Sequence, residues 1–397
     1  MKYLILGAGP AGLAFATHLL EQNESDFLIL EKEKEAGGLC RSVFVDGSPL
    51  DIGGGHFIDV RNKRVLDMLF EVMPDDEWNI YERNSKIFIH NKLVNSPIEA
   101  NIWQLPIDNQ IEYLKSVAIA GCNLGESVPE KFIDWIYWKL GKQIADNYMI
   151  PYNQKMFGKN LNILGSYWME KLPNVSFEET LRSCLEQKAY GKQPGHAQFY
   201  YPKKYGSGEV WKRLANRLKD KILYEIDIKE IDLKGHNVNK NFQADNIINT
   251  IPWTEFDNIE GIEKDILDII KQLKYTSISI DYFSDDLDSD AHWIYYPQSQ
   301  LEYHRILIRK NFSINAKGLW TETNVDRLQS SSSKYRYINK YAYPLNTVGK
   351  KEQMQELLQF FKKHNIYGLG RWGEWEHYNS DVVVDKAIAL ADKLAKY

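Results

Sequence analysis

KYLILGAGPAGLAFATHLLEQNESDFLILE, Lys2–Glu31, decides the fold. Tyr3 to Leu6 is a short apolar run of the kind a buried parallel strand needs, and it enters Gly7-Ala8-Gly9-Pro10-Ala11-Gly12 without a break. The spacing predicts strand, glycine turn and helix. The first glycine permits the tight turn, the second lets a pyrophosphate approach the backbone, and the third lets the helix lie close on its strand. A helix over Ala11 to Glu21 would aim its free amides and positive dipole end at the phosphates. Phe27 to Leu30 reads as the next strand and ends in Glu31, about 20 residues past the turn, where a carboxylate can accept from a ribose hydroxyl. Strand, turn, helix, strand and acid in register point to a bound dinucleotide rather than to an ordinary tight turn.

A chain of 397 residues is long for one core, so two or three packed domains are expected. With 44% hydrophobic and 26% charged residues it reads as globular. The net charge of −5 offers no general basic field, so a nucleic-acid partner is not expected. No apolar run approaches the ~20 residues that span a bilayer, and the first strand leaves no room for a signal peptide, so a cytoplasmic protein without a membrane span is expected. Cys40, Cys122 and Cys184 lie far apart without metal-ligand spacing and read as reduced thiols, with no metal site.

Three further glycine turns follow: Gly37-Gly38, Gly53-Gly54-Gly55 with His56 at its exit, and Gly368-Leu369-Gly370-Arg371-Trp372-Gly373 near the end. Four separated turns imply one large cofactor touched by many parts of the chain, which suits FAD better than NAD. Asp381 reads as the N-cap of the last helix, whose first-turn amides would face the electron-rich edge of a flavin ring. Ile107 to Tyr148 has helical periodicity, Pro151 to Gly158 reads as a break, and helix resumes over Phe177 to Gln187. Ile222 to Ile231 and Ala244 to Ile251 read as strands that complete the first sheet; Tyr275 to Phe283, His292 to Pro297 and Tyr303 to Lys310 read as a second, antiparallel sheet. The expected fold is α/β. A Rossmann-like FAD-binding domain (1–80, 200–255 and 350–397) carries an inserted helical subdomain (105–195) and an antiparallel β-sheet substrate domain (81–104 and 256–349).

The cofactor-binding set expected on this reading is Gly7, Gly9, Pro10, Ala11, Gly12, Glu31, Lys32, Gly37, Gly38, Leu39, Arg41, Gly54, Gly55, His56, Ile228, Gly370, Arg371, Asp381 and Val382. Arg305 and Arg371 are the cations suited to clamp a phosphate or line the flavin, with a solvated surface ion pair as the blander alternative for each.

The chain resembles the UDP-galactopyranose mutases, the eukaryotic-type branch more than the bacterial one. The resemblance is carried by GAGPAGL, GGHFID at Gly54–Asp59, FIDWIYWKLGKQIADNYMIPYNQKMFG at Phe132–Gly158, FYYPKKYGSGEVW at Phe199–Trp211, HWIYYP at His292–Pro297, YHRILI at Tyr303–Ile308 and GRWGEW at Gly370–Trp375. It implies FAD that works when reduced, with NAD(P)H as a candidate external reductant. It also implies a nucleotide-sugar substrate attacked at its anomeric carbon by the reduced cofactor, so that pyranose and furanose forms interconvert with no net redox change. Carried over residue by residue, the resemblance puts Arg305, Tyr295 and Tyr343 on the diphosphate, with Trp293, Tyr152 and Asn153 at the substrate. It puts His56 and Arg371 beside the flavin.

The chain also departs from that pattern. Lys171 stands where the second diphosphate arginine is expected and lacks its bidentate fork. His377 with Tyr378 replaces a C-terminal tyrosine, and His196 replaces an asparagine of the sugar pocket. Glu99 stands on the base side, where a carboxylate suits a guanine better than a uracil. Base and sugar therefore stay open, as does oligomeric state, a homodimer included. The rival reading is an FAD-dependent amine oxidase or desaturase-like oxidoreductase on the same fold.

Overall fold

The computed structural model describes residues 1–59, 61–123, 125–169, 175–191, 197–329 and 333–395. The opening strand Tyr3–Leu6 is buried along its whole length. It pairs in parallel on both sides, with Phe27–Leu30 and with Asn246–Asn249. Ile222–Leu223 and Ile366–Gly368 extend the two edges into a five-stranded parallel sheet. Successive residues of a strand face opposite ways, and the core divides accordingly. Tyr3 and Ile5 pack with the helices Pro10–Glu21 and Ser380–Leu394. Leu4 and Leu6 pack on the other face with Lys264–Gln272 and Lys350–Lys363. An unbroken apolar run is what a strand covered on both faces requires. The strand order reverses between Tyr3–Leu6 and Asn246–Asn249, and the crevice at such a switch point is where α/β sheets bind ligands.

A seven-stranded sheet stands beside it, in the order 335–344, 275–283, 319–324, 305–308, 293–295, 85–89, 92–95. It departs from the antiparallel expectation at one pair, Trp293–Tyr295 with Ser85–Ile89, which runs parallel. The helices Ile107–Gly121, Phe132–Ile144, Ile150–Phe157 and Phe177–Glu186 form the insertion and share a core with Ile87, Ile89 and Val94 of that sheet.

Three local expectations are corrected. Pro151 does not break the helices: it lies in the first turn of Ile150–Phe157, where its missing N–H is not needed. Asp381 is not the N-cap of the last helix; Asn379 is, without a side-chain bond, and Asp381 sits in the first turn. The strand expected over Ile222 to Ile231 survives only as Ile222–Leu223 and Glu230–Asp232, because Glu225 between them takes a left-handed backbone (φ 60°) that no strand continues through.

One buried cation ties the C-terminal turn to the rest. Lys350 is 1% exposed, and its Nζ donates to Glu376 Oε1 at 2.7 Å, to the Trp375 carbonyl at 2.8 Å and to Asn346 Oδ1 at 2.8 Å. Lys350→Ala strands the Glu376 carboxylate, and an unfolding titration should show a loss of about 3 kcal/mol, the low end for a broken buried pair because Glu376 keeps some solvent.

Candidate active site and cofactor cleft

The carboxyl ends of Tyr3–Leu6 and Asn246–Asn249 open on a cleft whose floor is the first glycine turn. Gly7 has φ +102°, and a Cβ there would lie 2.6 Å from Thr250 Oγ1, so the turn needs glycine. A Cβ on Gly12 would lie 2.1 Å from the Gly7 carbonyl oxygen, which is why the helix can pack so close. At Gly9 the nearest atom to an added Cβ is Gly38 Cα at 4.0 Å. That backbone is left open to the cleft.

Glu31 accepts from the Ala8 amide at 2.7 Å and the Glu33 amide at 2.9 Å, while burial raises its pKa above the ordinary value. At the cleft wall Glu255 accepts from Lys32 at 3.1 Å, Lys340 at 2.7 Å and Tyr341 at 2.6 Å. Burial opposes its charge, but those donors prevail and hold it down to about 2. This clasp joins the parallel sheet to the seven-stranded one. Arg41 donates to the Gly38 carbonyl at 3.1 Å and to the Tyr337 hydroxyl at 2.7 Å.

At the far end, Arg371 donates to the Tyr378 carbonyl at 3.1 and 2.8 Å and to the Ala342 carbonyl at 3.0 Å. These acceptors are neutral, and burial lowers its pKa. A partly buried guanidinium held by carbonyls leaves positive charge beside the cleft, which favours a ligand that gains negative charge there. Ser380, in the first turn of the last helix, lines the same cleft with a buried Oγ that has no hydrogen-bond partner among the described residues. His56 Nε2 lies 3.2 Å from the Gly53 carbonyl, and burial, reinforced by Arg371, pushes its pKa down to about 3. Its imidazole is therefore neutral at physiological pH. As pH falls from 6.5 towards 3 the unfolded chain takes up a proton here that the folded one refuses, so stability is lost through that window. His56→Gln should flatten the acid limb of a melting-temperature profile between those values.

Beyond the cleft, strand alternation builds a row across the seven-stranded sheet. Tyr295, Arg305 and Glu322 stand opposite one another on three neighbouring strands. Both Arg305 Nε and an Nη donate to Glu322 Oε2, at 2.9 and 2.5 Å. Burial disfavours both charges, but Arg305 and His304 hold Glu322 down to about 2, and Glu322 with the tyrosines raises Arg305. Glu322 Oε1 also accepts the Gly55 amide at 3.4 Å, tying this row to the turn that bears His56. Tyr343 and Tyr152 complete the surroundings of Arg305. Tyr343 lies 4.8 Å ring to ring from His377 and beneath Arg371, and burial raises its hydroxyl to about 12.

Of the residues expected from sequence, Gly7, Gly9, Pro10, Ala11, Glu31, Lys32, Gly38, Leu39, Arg41, His56, Ile228, Arg371 and Tyr378 line the cleft. Gly12, Gly37, Gly54, Gly55, Gly370, Asp381 and Val382 do not line it. Gly37 and Gly370 serve through left-handed backbone, φ 111° and 78°. Val383, next to Val382, lines the wall instead. Asn153 is buried and donates to the Met149 carbonyl one turn back, at 2.7 Å. Trp293 donates to the Tyr295 hydroxyl at 2.8 Å. Burial raises the Glu99 pKa, and Glu99 acts electrostatically on Tyr148, whose ring lies 5.7 Å from Tyr152. Lys171 and His196 lie outside the described residues.

Sequence reasoning missed Glu322, Arg83 and the Glu255 clasp. Arg83 donates to the Tyr295 hydroxyl at 3.2 Å and lies 5.1 Å from the Trp293 ring centre. Its only linear sign is its place just before Ser85–Ile89, whose parallel pairing no local pattern announces.

Residues 5–72 match the model of the NAD(P)-binding Rossmann-like domain. Over its whole length the chain superposes on reduced UDP-galactopyranose mutase with a TM-score of 0.91 at 22% identity, covering 94% of that chain. Cyclohexylamine oxidase from Brevibacterium oxydans matches at 0.70 and 14% identity, over 99% of both chains. The fatty acid isomerase from P. acnes matches at 0.69 and 14%, over 99% of this chain and 98% of that one. In sequence, 103 residues (26% of this chain) are 37% identical to an uncharacterised protein of the nifH2 3′ region of Methanothermococcus thermolithotrophicus and cover 98% of it. The chain therefore belongs to one family with that protein, and its fold is the fold of UDP-galactopyranose mutase.

Proposed function

We propose that the chain is a flavin-dependent mutase that interconverts pyranose and furanose forms of a nucleotide-diphosphate sugar. The observation that carries the reading is the row of Tyr295 and Arg305, joined by Tyr343 and Tyr152, beside the end of the cleft marked by His56 and Arg371. The open Gly9 backbone, the unpartnered Ser380 Oγ and the amides of the last helix fit the pyrophosphate and ring of FAD. Bound and reduced, FAD would supply the nucleophile for the anomeric carbon.

The remaining work falls to side chains. Arg305, fixed by Glu322, would hold the departing diphosphate and return it, with the tyrosine hydroxyls donating to its oxygens. Arg371 would favour the anionic form of the reduced cofactor, and neutral His56 would not compete with it as a cation. Glu99 would read the base: guanine offers a carboxylate two adjacent donors, whereas the uracil N–H is flanked by two carbonyls. The likeness to cyclohexylamine oxidase keeps an amine-oxidising reading alive, but such a reaction has no use for a carboxylate-fixed arginine and three tyrosines at the substrate. Anaerobic incubation with dithionite and a panel of UDP-, GDP- and TDP-sugars should give furanose product. Amine turnover with peroxide release, and no isomerised sugar under reducing conditions, would overturn the proposal.

A further inference from the structure

Tyr295 sits at the crossing of two donors. Trp293, two residues earlier on the same strand and so on the same face, donates its indole N–H to the Tyr295 oxygen at 2.8 Å. Arg83, entering from the loop before Ser85–Ile89, donates an Nη hydrogen to the same oxygen at 3.2 Å. The Arg83 guanidinium is itself fixed by an Nε bond to Ser85 Oγ at 2.9 Å and by its seat over the Trp293 ring. A phenol oxygen that accepts two hydrogen bonds has its remaining direction taken by its own O–H. Among the described residues Tyr295 donates no hydrogen bond in return. Its cross-strand neighbour is Arg305.

We infer that Arg83 is a positioning residue that, with Trp293, makes the Tyr295 hydroxyl an obligate donor aimed at an anionic oxygen of the ligand held by Arg305. This deepens the reading of the site as a nucleoside-diphosphate pocket and rests on it. It assigns selectivity for acceptor-only groups, such as the oxygens of a fully ionised diphosphate, to a residue that would touch the ligand only through Tyr295. A hydroxyl free to rotate can serve a donor or an acceptor; one fixed by two incoming bonds cannot.

The test is a double-mutant cycle on the FAD-loaded protein with UDP, GDP and inorganic pyrophosphate as probes, read by calorimetry. Tyr295→Phe and Arg83→Met should each weaken binding on the order of tenfold, the scale of a hydrogen bond to a charged group. The double variant should be no weaker than the worse single one, because both act through one O–H. Arg83→Lys, which keeps a donor in reach, should recover part of the loss and stands in should Arg83→Met fail to fold. Losses that multiply in the double variant would mean that Arg83 grips the ligand itself and would overturn the inference, as would unchanged affinity in either single variant. If the unaltered protein bound none of the three probes, the diphosphate reading of the pocket would fall first.

Discussion

Arg305→Ala should weaken the binding of a nucleoside diphosphate on the order of 100-fold, in line with truncation of a partly buried, hydrogen-bonded charge, while FAD content stays near that of the unaltered protein. The asymmetry follows from position. Arg305 stands on the seven-stranded sheet, pinned by Glu322, and does not itself line the cleft; it reaches the turn that bears His56 only through the Glu322 bond to the Gly55 amide. Part of the loss will be structural, since alanine leaves the Glu322 carboxylate buried without its main partner. Arg305→Lys separates the two contributions. It keeps the charge and so restores Glu322, but loses the planar fork that can bind carboxylate and phosphate together. Its affinity should fall between the other two. Equal affinity for UDP, GDP and TDP in Arg305→Ala and the unaltered protein would place the diphosphate elsewhere.

The second large effect contrasts two glycines three residues apart. Gly12→Ala sets a Cβ 2.1 Å from the Gly7 carbonyl oxygen, and neither backbone can yield without moving the helix off its strand. Its apo form should be destabilised by about 3 kcal/mol, the upper part of the range for an overpacked core, and it should hold no FAD. Gly9→Ala adds the same atom where, chain neighbours aside, nothing among the described residues lies closer than 4.0 Å, at an ordinary φ of −77°. The apo protein should melt as before, yet FAD should bind far more weakly, because the methyl group occupies the approach that the pyrophosphate needs. Thermal melts of both apo proteins with and without FAD check the pair. A normal apo melt for Gly12→Ala, or undiminished FAD binding by Gly9→Ala, would contradict the assignment.

The first Rossmann unit was legible from sequence because everything it needs is local: an apolar run, three spaced glycines and an acid, all before residue 32. Arg305 was legible as a cation in an alternating strand. Its partner was not. Glu322 lies in the strand LWTETN among other polar residues, and only the pairing register reveals that it faces Arg305. Arg83 was hidden for a like reason, since it meets Tyr295 through a parallel pair that joins segments more than 200 residues apart, a separation no periodicity encodes. The N-cap of the last helix was missed by two residues, where Asn379 and Asp381 are both chemically suitable and the chain path alone decides.

The parallel sheet also sets the order in which this protein can come into being. Tyr3 pairs with Asn246, and Ile247 in turn pairs with Ile366. The strand Tyr3–Leu6 must wait for its neighbour across the switch point until the segment around residue 246 has been made, and the wall built from Arg371 and Ser380 comes later still. Such non-local pairing is slow, because loop closure is entropically costly before any contact rewards it. A nascent chain therefore presents Gly7 to Gly12 early but cannot enclose a cofactor there. The cleft closes only when the segments around residues 246 and 371 have folded back onto the first glycine turn.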